Sequence, residues 1–148
     1  MVLIVEDEVL VALTLQVALE RAGHQVVGPA FSAGEALQLA EAEQPDPALV
    51  NLDLRSEIDG IAVARLLRER YAFTGELRAI GDIQRDQLFY LREVGFDALA
   101  VRDDKDVIDA LFGLHDFADG YQNSAVRTPW FRRRAAQAPP GDAWFPGA

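Results

Sequence analysis

There is no cysteine anywhere in the 148 residues, which excludes disulfides and thiolate metal sites. Histidine is nearly as scarce: only His24 and His115 occur, and neither stands beside a Ser or Cys nucleophile, so a hydrolytic triad is disfavoured. No apolar run approaches the about 20 residues of a membrane span, and a membrane is not an expected partner. Positive charge is also short, with 14 Lys and Arg against 24 Asp and Glu. That balance is the opposite of the basic footprint a general nucleic-acid binder needs. Neither G-x-G-x-x-G nor G-x-x-x-x-G-K-[ST] occurs, so the nucleotide-binding folds built on those loops are disfavoured. The chain opens on Met1-Val2-Leu3-Ile4-Val5, with no basic n-region and no small-residue cleavage site, so a cytoplasmic location is the expectation.

The stretch Ala48-Leu49-Val50-Asn51-Leu52-Asp53 dominates what is present. It begins as a continuous apolar run, the mark of a strand buried on both faces, and ends in a carboxylate followed by polar residues and Asp59-Gly60. A charge at the C-terminal end of a central parallel strand serves packing poorly. Crevices at such ends are where open α/β sheets put their chemistry, although an Asp there can also simply cap a loop.

In chain order, Val2 to Val5 reads as a strand stopped by Glu6-Asp7-Glu8. Val9 to Ala22 is a helix, ended by Gly23. Gln25 to Ala30 is a strand ended by Gly28-Pro29 punctuation. Ser32-Ala33-Gly34-Glu35 has the form of a capping box ahead of a helix running to about Glu43. After the strand at Ala48, a helix covers Ile61 to Arg70, a weaker strand Leu77 to Ile80, a helix Gln87 to Val94, a strand Ala98 to Val101 and a helix Lys105 to Phe117. Helical crossovers force parallel strands and right-handed connections. The expected fold is α/β: a flavodoxin-like, doubly wound (βα)5 domain of three layers with strand order 2-1-3-4-5, over residues 1–119. Residues 120–148 form a Pro-, Gly-, Arg- and aromatic-rich tail without room for a second domain. Up to residue 126 the chain has 10 basic and 23 acidic side chains; beyond it Arg127, Arg132, Arg133 and Arg134 face Asp142 alone.

That order makes strands 1 and 3 neighbours and sends Glu6, Asp7 and Asp53 to one crevice. Three clustered carboxylates repel unless a cation joins them. Hard oxygen ligands suit Mg2+, which could neutralise a transferring phosphoryl group while one carboxylate attacks it. The plainer alternative is that Glu6-Asp7-Glu8 is an acidic helix N-terminus.

Together, Val2-Leu3-Ile4-Val5-Glu6-Asp7-Glu8, Leu52-Asp53-Leu54, Asp59-Gly60 and Val94-Gly95-Phe96-Asp97-Ala98-Leu99-Ala100-Val101 resemble the receiver domain of two-component response regulators. The resemblance spans about residues 1–117. It implies a magnesium site at Glu6, Asp7, Asp53 and the backbone carbonyl of Arg55, with Asp53 as phosphoacceptor. The implied donor is a phospho-histidine on a histidine kinase or histidine phosphotransfer protein. A downstream protein target and a homodimer through the helix 4, strand 5 and helix 5 face are further implications. The chemistry would be self-phosphorylation and dephosphorylation, not a metabolic reaction.

Several positions depart from the pattern. Ile80 occupies the family's Ser/Thr position, with Gly81 next, and offers no hydroxyl. Arg102 stands at the family's Lys position, and a planar guanidinium is not equivalent to an ammonium point charge. The loop after Asp53 lacks its usual Pro and is about one residue short, and Leu99 takes the place of the switch aromatic. A lost hydroxyl bond to a charged oxygen is worth about 1.5–3 kcal/mol, comparable with the coupling that drives many switches. The first expectation is therefore an atypical single-domain response regulator phosphorylated at Asp53. The second is a pseudo-receiver that signals by protein contact alone. A magnesium-dependent phosphatase is the third.

Overall fold

The computed structural model describes residues 1–55 and 58–115. The tail at 120–148 and the end of the last helix near Phe117 lie outside the described residues. The elements run β1 (Val2–Val5), α1 (Val9–Arg21), β2 (Val26–Ala30), α2 (Ala33–Glu43), β3 (Pro47–Asn51), α3 (Gly60–Glu69), β4 (Glu76–Ile80), α4 (Leu88–Val94), β5 (Ala98–Leu99) and α5 (Val107–Gly113). A 3-10 turn, Arg85–Gln87, leads into α4. All strand pairs are parallel, in the order β2-β1-β3-β4-β5.

Local chemistry sets the boundaries. Ser32 Oγ accepts the Glu35 N–H at 3.2 Å, while Glu35 reaches back to the Phe31 N–H at 2.8 Å. This is the expected capping box, with its return bond one residue earlier than usual. Asp59 caps α3 by accepting the Ala62 N–H at 2.8 Å. Gly23 and Gly95 end α1 and α4 in positive-φ conformations, as their positions in the sequence predict. α5 starts later than expected, because Asp106 rather than Asp103 or Asp104 accepts its first free N–H groups. β5 is only two residues long: Val101 turns back onto the Leu99 carbonyl instead of extending the ladder. The Gly28-Pro29 pair lies inside the edge strand β2, where a register shift against β1 absorbs it.

The two faces of the sheet differ. Leu3, Val5, Ala48, Val50, Leu77 and Ala79 share one face, are fully buried, and lie under α2, α3 and α4. Across the other face the register aligns Ile4, Leu49, Arg78 and Ala98. Ile4 is buried beneath α1, Leu49 and Ala98 are half-buried, and Arg78 is exposed. β3 is half-buried on its second face instead of fully buried as its apolar run predicts; among the described residues α1 packs on β1 and β2. No helix of the described residues is long and apolar enough to cross a membrane.

Candidate functional site: the crevice at the strand ends

Glu6 follows β1 directly and Asn51 is the last residue of β3; Val5 pairs with Val50, so the two meet across the ladder. Glu6 is only 2% exposed. A buried carboxylate is costly unless it is hydrogen-bonded, and Glu6 Oε1 accepts both the Glu8 N–H at 3.0 Å and the Asn51 side-chain amide at 3.1 Å. The Asn51 carbonyl oxygen in turn accepts the Asp53 N–H at 3.1 Å, closing an Asx turn that directs the chain out of the strand. One neutral amide thus joins the end of β1 to the loop after β3.

Two glycines permit this arrangement. A Cβ on Gly60 would lie 1.9 Å from the Asn51 carbonyl oxygen, so α3 can begin against the end of β3 only without a side chain. Gly81 follows β4 with φ +107, and a Cβ there would sit 2.5 Å from Asn51 Oδ1 and 3.8 Å from Asp53 Oδ2. Gly81, just past β4, comes close to Asn51 and Asp53; Ile80, the last residue of β4, pairs with Asn51, is half-buried, and accepts the Leu52 N–H through its carbonyl.

The other predicted residues are arranged differently from the expectation. β3 ends at Asn51, so Asp53 lies two residues into the loop and is exposed. Asp7 is half-buried, and its Oδ2 accepts the Arg55 N–H at 2.8 Å, so Arg55 meets the acidic pair through its amide hydrogen. Arg102 grips Asp104 with two bonds of 2.9 and 3.0 Å and lies 3.5 Å from Asp82, instead of reaching toward Asp53. Among the described residues no group of three or more acidic or histidine side chains is disposed to hold a metal ion. The described contacts join Glu6 to Asn51 and Asp7 to the Arg55 N–H, and the gathering of Glu6, Asp7 and Asp53 around one cation stays a proposal. Asn51 meets one oxygen of Glu6 with an N–H donor. A magnesium ion takes bare oxygens in near-octahedral array, and of the oxygens here Glu6 Oε1 and Asp7 Oδ2 already accept N–H donors.

Asn51 is the residue that sequence reasoning missed. Its signal was available: it is the one polar side chain in Ala48-Leu49-Val50-Asn51-Leu52, at the C-terminal end of a central strand.

Comparison with known proteins agrees with the fold. A family model described as a bacterial protein of unknown function (DUF934) matches residues 28–131. The signal receiver domain of a signal transduction histidine kinase from Syntrophus aciditrophicus is 25% identical, with TM-score 0.60, covering 77% of this chain and 86% of that one. The signal receiver domain of a modulated diguanylate cyclase from Desulfovibrio desulfuricans is 28% identical, with TM-score 0.60, covering 77% and 89%. The chain belongs to the DUF934 family and carries a receiver domain. The transcriptional regulatory protein PdtaR of Mycobacterium tuberculosis is 34% identical over 102 residues, 68% of this chain and 48% of PdtaR. The chain thus spans about half the length of that curated relative. Receiver domains are modules of phosphorylation-based two-component signalling, and the chain falls in that general class.

Proposed function

We propose that this receiver domain works as a protein-docking module whose crevice is held by Asn51 instead of being switched by a phosphoryl group. The observation that carries this reading is the double engagement of the Asn51 amide, with Glu6 on one side and the Asp53 N–H on the other. An amide is a poor nucleophile and carries no charge. It supplies from within the protein the hydrogen bond that otherwise leaves Glu6 calling for a cation. The loss of a hydroxyl at Ile80 and Gly81 and the engagement of Arg102 by Asp104 support the same reading, since neither is then available to a phosphoryl oxygen. Docking as the mode of action is supported by Val107, Ile108, Leu111 and Phe112, all exposed on α5. The cytoplasm is the proposed location.

A second reading keeps Asp53 as phosphoacceptor for a histidine kinase or histidine phosphotransfer protein. One observation favours it: the Asp53 side chain is exposed at the crevice rim, within reach of a donor. One experiment separates the two. The folded protein and its Asp53→Asn variant are incubated with acetyl phosphate, with and without magnesium, and intact masses are measured. No phosphoryl adduct on the wild type is the expected result. A magnesium-dependent adduct that Asp53→Asn abolishes would overturn the docking-only reading and establish the second.

A further inference from the structure

α5 brings little volume to the space it shares with α4 and β5. Of its seven residues only Ala110 and Gly113 are buried, and neither has a side chain longer than a methyl group. Gly113 sets the helix close against the 3-10 turn, where an added Cβ would lie 2.6 Å from the Arg85 carbonyl oxygen. One turn earlier, Ala110 has a single methyl group to set against the buried Leu88 and Phe96. The sheet adds nothing further, because β5 stops at Leu99 and Val101 turns back onto the Leu99 carbonyl. Interiors reach crystal-like density only where side chains of sufficient volume meet. Here a cavity of about 210 Å³ remains between α4, β5 and α5. Leu88, Phe96, Leu99, Val101, Leu111 and Leu114 make most of its wall, which consists of described residues throughout.

Two charged side chains belong to that wall, Arg92 and Asp97, and they are not equivalent. The Asp97 carboxylate is already engaged: it pairs with Arg68 and accepts the Leu77 N–H at 2.8 Å. Arg92 is half-buried, with its Cζ 5.4 Å from the centroid of the Phe89 ring. Among the described residues no carboxylate or carbonyl accepts a hydrogen bond from it. A partly desolvated guanidinium lacks its natural acceptor there, and its planar fork matches a carboxylate. We propose that this cavity binds a small carboxylic acid with an apolar body about the size of a phenyl ring, its carboxylate received by Arg92. The size follows from the volume: a dry apolar cavity of about 150 Å³ takes up benzene, so this one holds a ring and a short chain. The sign follows from the charges, since Arg92 is the one left without a counter-charge. None of these residues belongs to the crevice, and the site does not depend on what Asn51 does there.

The test is methyl NMR on the full chain, titrated with 3-phenylpropionate. Its neutral and cationic counterparts, 3-phenylpropanol and 3-phenylpropylammonium, serve as controls of the same shape. The acid should give saturable shifts at Leu99, Val101 and Leu114 and bind about tenfold more tightly than the alcohol, with the amine weaker still. Arg92→Gln should lower the affinity for the acid to that for the alcohol and leave the alcohol's unchanged. Ala110→Leu, which fills the cavity, should abolish the binding of both; if that variant does not fold, Arg92→Gln decides. Absence of saturable shifts at those three residues through millimolar acid would overturn the proposal. So would equal affinity of the wild type for acid and alcohol, or an Arg92→Gln variant that binds the acid as tightly as the wild type does.

Discussion

The two ends of the sheet handle charge in opposite ways. At the N-terminal end, Arg68 of α3 is only 16% exposed and uses its guanidinium as a staple. It donates to the carbonyls of Phe73, Gly75 and Gly95 at 2.6–3.0 Å and pairs with Asp97, which also accepts the Leu77 N–H at 2.8 Å. At the C-terminal end, among the described residues, a neutral amide and not a cationic side chain meets the buried Glu6. A guanidinium with several carbonyl partners fixes loops, and its value lies in stability. An amide between a carboxylate and a backbone N–H fixes one geometry of a crevice while adding no charge for a ligand to use. The first end reads as structure, the second as the candidate functional site.

Five substitutions sharpen or break that contrast. Arg68→Ala should have the largest effect, about 3 kcal/mol of lost stability by urea denaturation, because it strips three carbonyls and Asp97 of their donor together. A loss under 1 kcal/mol would mean the staple is ornamental and the contrast false. Gly81→Thr should cost about 2 kcal/mol, from a β-branched residue at positive φ and the collision with Asn51 Oδ1. Adding Asn51→Ala should relieve the collision and leave the backbone strain, so the pair should be non-additive in a double-mutant cycle. Asn51→Asp should cost about 1 kcal/mol, since it removes the donor to Glu6 and sets a second carboxylate beside it. Magnesium should restore that loss in the variant while leaving the wild-type melting temperature unchanged. Asp53→Ala should change stability by no more than about 0.5 kcal/mol, because the side chain is exposed. A larger loss would show that Asp53 is held in the crevice after all.

Strand order, helix positions and most caps were legible in the sequence, because Gly23, Ser32, Asp59 and Gly95 act through short-range backbone chemistry. The burial of β3 was misread because a continuous apolar run cannot say whether a helix covers each face; Leu49 is apolar and half-exposed all the same. The site was half legible. Glu6 directly follows β1, and the reading took Asp53 as the terminus of β3. The ladder stops at Asn51, and Asp53 stands two residues further on, in the loop at the crevice rim. Side-chain partnership of the kind joining Asn51 to Glu6 is a tertiary fact, 45 residues apart in sequence, and periodicity carries no trace of it.

The central claim is that the Asn51 amide occupies the crevice and excludes a divalent ion. Its most direct test is a magnesium titration followed by NMR on the Asn51 side-chain amide and the Arg55 backbone N–H. Both signals should stay in place through millimolar magnesium in the wild type and move in Asn51→Asp. A saturable magnesium-dependent shift of both signals in the wild type would contradict the account.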